Sequence, residues 1–464
     1  MAYGVYTAED LSDAITTNMT INRKNKAFGM YYSDETLGEK ESVAFYNSAK
    51  KNSTGIKLST DTTITVNVNG TDDAYGVYLA NTTEDISTLN ISNIETSSNG
   101  NSFGVYLNGS KLSSISGAIT AISNGAEAIA LKINENSQVA DMSASTTSIA
   151  YANSTSAVAR GIEISNKFAN INVNKDVSAS LYSGTATPSE NQNAIGIHIV
   201  DANKVSIASR VRAHCGFDSQ KGIAVQTHSA NKIIFNNAIL ETPSSEGIAM
   251  KSVDVDMNFS GTASFYGDLL SGTSENKNDI NAKSGQFSVE AKNIVAKNLV
   301  LGSENKSGEF ETAQIKLTRN TNLDIDNVVL YANSTEDLSS IHIYNFNTNF
   351  DSNQVTLNLI ISEATQWEEG AKLRIIELDV DRYETISTLN NLTEENISIT
   401  LAGIELDKEY FSYSLEMDHN DSDKLVMFGV ITLGDLSSIP EPSTYAIIFA
   451  TIALAVVMYR KRKA

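Results

Sequence analysis

Cysteine is nearly missing from this chain. Cys215 stands alone, so no disulfide closes within it and packing must hold the fold together. Proline is scarce, at 4 in 464 residues, and glycine, at 27, falls below the usual share of about 7 %. Long runs of Ala, Leu, Glu and Lys are absent, while Asn, Ser and Thr abound. That balance points to strands joined by many turns. Basic residues are few, 34 against 55 acids, for a net charge of −21. Such a surface repels nucleic acid and anionic lipid and keeps an exported protein in solution. No P-loop, zinc-ligand spacing, nucleotide-binding glycine loop or Ser/His/Asp pattern occurs, so no cofactor and no metal is expected. The run Asp418-His419-Asn420-Asp421-Ser422-Asp423 has the acids of a calcium loop. It lacks the Gly at position six and the Glu at position twelve, and it reads as a turn at a hairpin end.

What the chain does have is a repeat. A Gly followed by aliphatic, any residue, aliphatic recurs as Tyr3-Gly4-Val5-Tyr6, Phe28-Gly29-Met30-Tyr31, Gly55-Ile56-Lys57-Leu58 and Tyr75-Gly76-Val77-Tyr78-Leu79. It returns as Phe103-Gly104-Val105-Tyr106-Leu107, Gly161-Ile162-Glu163-Ile164 and Gly196-Ile197-His198-Ile199, then at Gly222 and Gly247. Ala128-Ile129-Ala130-Leu131 reads as a copy with Ala for Gly. A period near 25 residues, with alternation inside each copy, predicts a right-handed parallel β-helix, each coil holding about three short strands. The Gly would ease the turn into the strand, and the aliphatics would point inward and stack at ~4.8 Å on the next coil. An antiparallel β-sandwich is the competing fold.

After residue 250 the glycines fade but alternation persists, as in Val253-Asp254-Val255-Asp256-Met257. The stretches 355–361 and 367–376 read as hairpin material. The expected organisation is therefore all-β: solenoid repeats over 1–309, irregular coils or an antiparallel cap over 310–435, and a terminal segment over 436–464.

Three groups of residues are candidates for function. Two places after each Gly the side chain should point outward, which aligns Tyr6, Tyr31, Lys57, Tyr78 and Tyr106 into a ladder. Tyrosines on a flat sheet suit sugar rings, although the same ladder also stabilises a sheet through neighbour stacking. The second group is a cationic stripe, Arg210-Val211-Arg212-Ala213-His214, with His198, Lys221 and His228 on adjacent coils and Asp201 and Asp218 close in sequence. Arg210, Arg212, His198 and Asp218 are the set for proton abstraction beside a uronate carboxylate, as in a β-helix polysaccharide lyase or hydrolase. Solvated charges on an outer face are the alternative. Cys215 follows His214 directly, so the two point to opposite faces of a strand and cannot act together; the thiol is expected inside.

The third group is the end of the chain. Pro440-Glu441-Pro442 precedes an uncharged run from Tyr445 to Tyr459, and Arg460-Lys461-Arg462-Lys463 follow. Fifteen helical residues span roughly 22 Å, and the four cations favour the cytoplasmic side of a membrane. This order closely resembles the PEP-CTERM sorting signal of exopolysaccharide-making Gram-negative bacteria. The resemblance implies an exosortase-type membrane protease as partner, a helix 445–459 in the inner membrane during sorting, and cleavage near Pro442. The mature protein would then lie at the cell surface or in the extracellular matrix, with exopolysaccharide or surface glycans as contacts. The repeats also resemble the passengers of autotransporter-type proteins, which are extracellular β-helices. The first residues, Met1 to Tyr6, have neither a basic start nor an apolar stretch. Sorting requires prior export, so the native start is expected upstream. The sequence as a whole reads as an exported structural or adhesive protein and not an enzyme.

Overall fold

The computed structural model describes residues 2–7, 18–23, 27–33, 45–47, 63–80 and 86–436, the last apart from 135, 155, 185–192, 217–221, 243–246, 274, 306–307, 320, 345–348, 351–354, 363–364, 380–393, 402 and 420–424. About 74 % of the described residues are strand, with almost no helix among them, and the strands form a β-solenoid of about 9 turns.

Alternation does the folding here. Along Thr63–Val68 and over 142–152 every second side chain is buried, and each coil lays these residues on those of the next. Three parallel ladders result. The first runs through Ala74–Ala80, Ser102–Asn108 and Glu127–Ile133, then 158–164, 194–199, Ile223–Thr227 and Ile248–Ser252. The second joins 86–90 to 112–116, 139–142, 171–173, 204–207 and 233–235. The third joins Thr63–Val68 to 93–98, 118–123, 146–150, Val177–Ser183 and Arg210–Cys215.

The interior is a set of stacked columns. Val77, Val105, Leu131, Ile162, Ile197, Val225 and Met250 occupy one register position in successive coils, all fully buried. Each such side chain contributes about 1.5–3 kcal/mol by leaving water. Farther along, Phe235, Phe259, Phe265 and Phe287 fill the interior, with ring centroids 4.8–6.1 Å apart. At the turns, asparagines repeat from coil to coil. Asn124 Nδ2 donates to Asn99 Oδ1 at 3.1 Å, and Asn153 Nδ2 donates to the Asn124 carbonyl at 2.7 Å. The second of these bonds satisfies a backbone carbonyl at the turn, and the first ties one side chain to the next.

The motif glycines lie inside the strands, and their role is close approach. A Cβ at Gly76, Gly104, Gly161 or Gly196 would lie 2.5–2.6 Å from a carbonyl oxygen one coil on. Positive φ occurs at other glycines, among them Gly117 (+110°), Gly261 (+100°) and Gly285 (+114°) at the corner between second and third ladders. The register also corrects the repeat alignment. Gly196 lies between Ile195 and Ile197, which pair with Ile223 and Val225, so its counterpart is Ala224 and not Gly222. Likewise Ala130, not Ala128, is level with Gly104. An apolar residue two places before the true position produced the shift.

Parallel pairing continues past residue 310. Ala313–Leu317 pairs with Ser340–Ile343, which pairs with Lys372–Asp379, and Asn322–Ala332 pairs with Thr356–Ile361, then Ile397–Leu401. The expected hairpin of 355–361 with 367–376 does not form: those two strands belong to different ladders. Alternation is common to both arrangements, and Trp367 Nε1, donating to the Ser362 carbonyl at 2.8 Å, fastens the corner between them. Antiparallel pairing appears in the last coils, where Leu425–Leu433 pairs with Lys372–Asp379 and with Phe411–His419. The acidic run from Asp418 sits at the end of this last hairpin, with 420–424 outside the described residues.

Among the described residues no helix is long and apolar enough to cross a membrane. The expected span 445–459, with Pro440, Glu441, Pro442 and the cations Arg460, Lys461, Arg462 and Lys463, lies outside the described residues.

Candidate functional site

Strand register joins the tyrosine ladder and the histidine of the cationic stripe into one outward column. Tyr31 pairs with Tyr78, Tyr78 with Tyr106, Tyr106 with Lys132, Lys132 with Glu163, Glu163 with His198, and His198 with Gln226. Tyr6 belongs to the strand Ala2–Thr7 of the same ladder, and Lys57 lies outside the described residues.

Tyr78 and Tyr106 are half-buried, and their faces are turned onto neighbours. Tyr78 and Tyr106 stack at 5.0 Å with 12° between planes. Lys132 Nζ covers the next position, 5.7 Å from the Tyr106 ring. Beside them Tyr75 and Phe103 stack at 4.9 Å and meet the tyrosines edge-on. Asn108 and Asn134 donate to the Tyr78 and Tyr106 hydroxyls at 3.3 Å. Burial raises the pKa of Tyr75 and of Tyr106. A sugar ring needs an open aromatic face, and Tyr106 has a neighbour over both of its faces. This geometry is that of a ladder stabilising its own sheet.

Below the tyrosines the column turns ionic. Glu163, 6 % exposed, accepts from Lys132 at 3.0 Å and from Arg160 at 2.8 Å, and it lies 3.4 Å from His198 Nδ1. Arg160 also reaches Glu127 at 3.2 Å. Burial opposes ionisation of Glu163, but the His198 hydrogen bond, Arg160 and Lys132 outweigh it and hold the pKa down at about 2. His198 meets His228 edge-on at 5.3 Å, and Gln226 Nε2 lies 3.0 Å from His228 Nε2. Burial and then His198 lower the His228 pKa. Among the described residues no three His, Cys, Asp or Glu side chains are grouped to hold a metal ion.

The cationic stripe is divided by the fold. Arg210 and Arg212 lie on the third ladder and both pair with Glu241 one coil on, Arg210 at 3.5 Å. His198 lies on the first ladder. Sequence proximity put them together, but a corner of the coil separates them. Asp218 and Lys221 lie outside the described residues. His214 meets Tyr182 at 5.8 Å. Cys215, expected inside, is half-buried at the border of an alanine-rich cluster with Ala213 and Leu181, because its strand ends there.

Lys132, Arg160 and Glu163 were not among the sequence candidates. The signal was present in the motif's third position, which reads Tyr, Tyr, Glu, His along successive copies. The two-residue misalignment at Ala128 hid Lys132. A hollow of about 440 Å³ also opens near the His228 turn, lined by Ser229, Asp254, Asp256, Asn258, Asn278 and Lys283. A scan of family models finds no match to this chain, and neither does a search of curated proteins.

Proposed function

We propose that this protein is an exported structural or adhesive component of the cell surface or extracellular matrix, and not an enzyme. A membrane-anchored precursor would be sorted through Pro440-Glu441-Pro442 by an exosortase-type protease, which removes the tail. The coil is taken as right-handed, following the crossover preference of parallel strands. The observation that carries the reading is that ionic groups on the outer face pair from coil to coil: Lys132 and His198 with Glu163, Arg160 with Glu127, and Arg210 and Arg212 with Glu241. Groups held this way stiffen a long regular surface, and such a surface acts through many weak contacts.

The test is peptide mass spectrometry of the native protein recovered from its host's surface. The expected C-terminus lies between Pro440 and Ser443. An intact tail found in the inner-membrane fraction would remove the sorting reading. The purified chain is also expected to leave alginate viscosity unchanged. Depolymerisation that Arg212→Ala abolishes would establish the lyase reading instead.

A further inference from the structure

The third ladder carries another aromatic row, one the repeat motif does not announce. Tyr151 pairs with Tyr182, their rings 5.8 Å apart and tilted by 34°. They are 36 % and 38 % exposed, unlike the half-buried pair Tyr78 and Tyr106. Two columns run beside them on the same outward face: Thr120, Thr147 and Ser178, then Ile122, Ile149 and Ser180. No charge occurs among these eight positions, in a chain of net charge −21. The columns meet charge only at their ends, where Glu95 pairs with Thr120 and Arg212 with Ser178.

The hydroxyls here differ from polar groups elsewhere on the coil. At the turns, asparagines bond to one another across coils. The side-chain hydroxyls of Thr120, Thr147, Ser178 and Ser180 have no partner among the described residues. They are spaced by the ~4.8 Å of adjacent strands, along the solenoid axis.

We propose that this face binds an uncharged, extended polysaccharide lying along the axis. Tyr151 and Tyr182 supply the aromatic contacts, and the four hydroxyls exchange hydrogen bonds with sugar hydroxyls. Charge selects the occupant. A neutral chain meets no repulsion from the surrounding acids, whereas an acidic polysaccharide or a second copy of this protein does. Tyrosine offers a sugar both an apolar ring and a polar tip. The inference rests on the surface-matrix reading and names the class of its ligand.

The experiment is co-sedimentation of the full chain with cellulose, xylan and cross-linked dextran, with alginate gel as the acidic comparison. Retention is expected on at least one neutral polysaccharide and not on alginate. The double variant Tyr151→Ala/Tyr182→Ala is expected to bind at least tenfold more weakly. Thr147→Glu, which places a charge on the face without opening the core, should do the same. Phe168→Ala, a change at a residue 68 % exposed and outside this face, should bind as the parent does. Circular dichroism and the melting midpoint establish that each variant is folded. Retention on none of the neutral polysaccharides, or on alginate alone, overturns the proposal. So does retention that the folded variants leave intact, or a dimer that the tyrosine variants dissociate. Processing of the tail is read separately. A processed protein that binds no polysaccharide sinks this inference and leaves the surface reading standing. An unprocessed protein that binds does the reverse.

Discussion

Glu163 couples burial to acid sensitivity. Its pKa of about 2 lies below the ordinary 4.5, because His198, Arg160 and Lys132 favour the charged form more than burial opposes it. A lowered folded-state pKa means the contribution is full above about pH 4.5 and disappears as pH falls toward 2. The size is about 3 kcal/mol. Urea midpoints measured from pH 6 to pH 2.5 should fall across that window. Glu163→Gln keeps the shape but leaves Lys132 and Arg160 facing each other. It should lower stability at pH 6 by about 3 kcal/mol and flatten the acid limb of the profile. An unchanged midpoint would mean the two cations find water instead. The sequence already placed Glu163 on the outer face, since it follows Gly161 by two. Its partners were not legible, because which residue stacks on it depends on turn lengths that alternation does not encode.

At the scale of strands, the phenylalanine group shows how a solenoid localises damage. Phe259 is 1 % exposed and touches Phe235, Phe265 and Phe287 from three successive coils. Phe259→Ala should cost about 3–5 kcal/mol. Each coil contacts only its neighbours, so the loss should be regional. Hydrogen exchange is expected to quicken in Ala230–Glu241, Met257–Tyr266 and Ile280–Glu290, while Ile86–Ser98 and Lys111–Ser123 keep their protection. Uniform loss of protection would mean the molecule unfolds as one unit. Strands such as these were visible from alternation alone. Partners were not: 355–361 and 367–376 alternate well enough for a hairpin, yet each pairs in parallel with an earlier coil. Period-2 patterning states which face is buried and is silent on whether the neighbouring strand runs parallel or antiparallel.

The whole molecule must also end. A solenoid leaves an open edge on its last coil, which invites another chain to pair with it. Here Leu425–Leu433 covers Lys372–Asp379, and Phe411–His419 covers Leu425–Leu433 in turn. That last strand carries charge: Glu416 pairs with Lys372 at 2.8 Å and Asp418 with Arg374. A chain ending at residue 436 should stay monomeric by light scattering, whereas one ending at 401 should associate at micromolar concentration. Equal behaviour of the two would show that the hairpin is not the cap. The sequence by itself determined an all-β coil with apolar columns inside, because burial needs only a repeated pattern of residue types and a period. It also contained the terminal motif on which the sorting proposal rests, since that is a linear signal. Tertiary structure decided what stacks on what. It put His198 with Glu163 and Lys132, moved Arg210 and Arg212 to another face, and gathered Tyr151, Tyr182 and unpaired hydroxyls into one uncharged strip. Those outcomes depend on register between residues one whole coil apart, and small differences in turn length reset that register without altering the pattern of any strand.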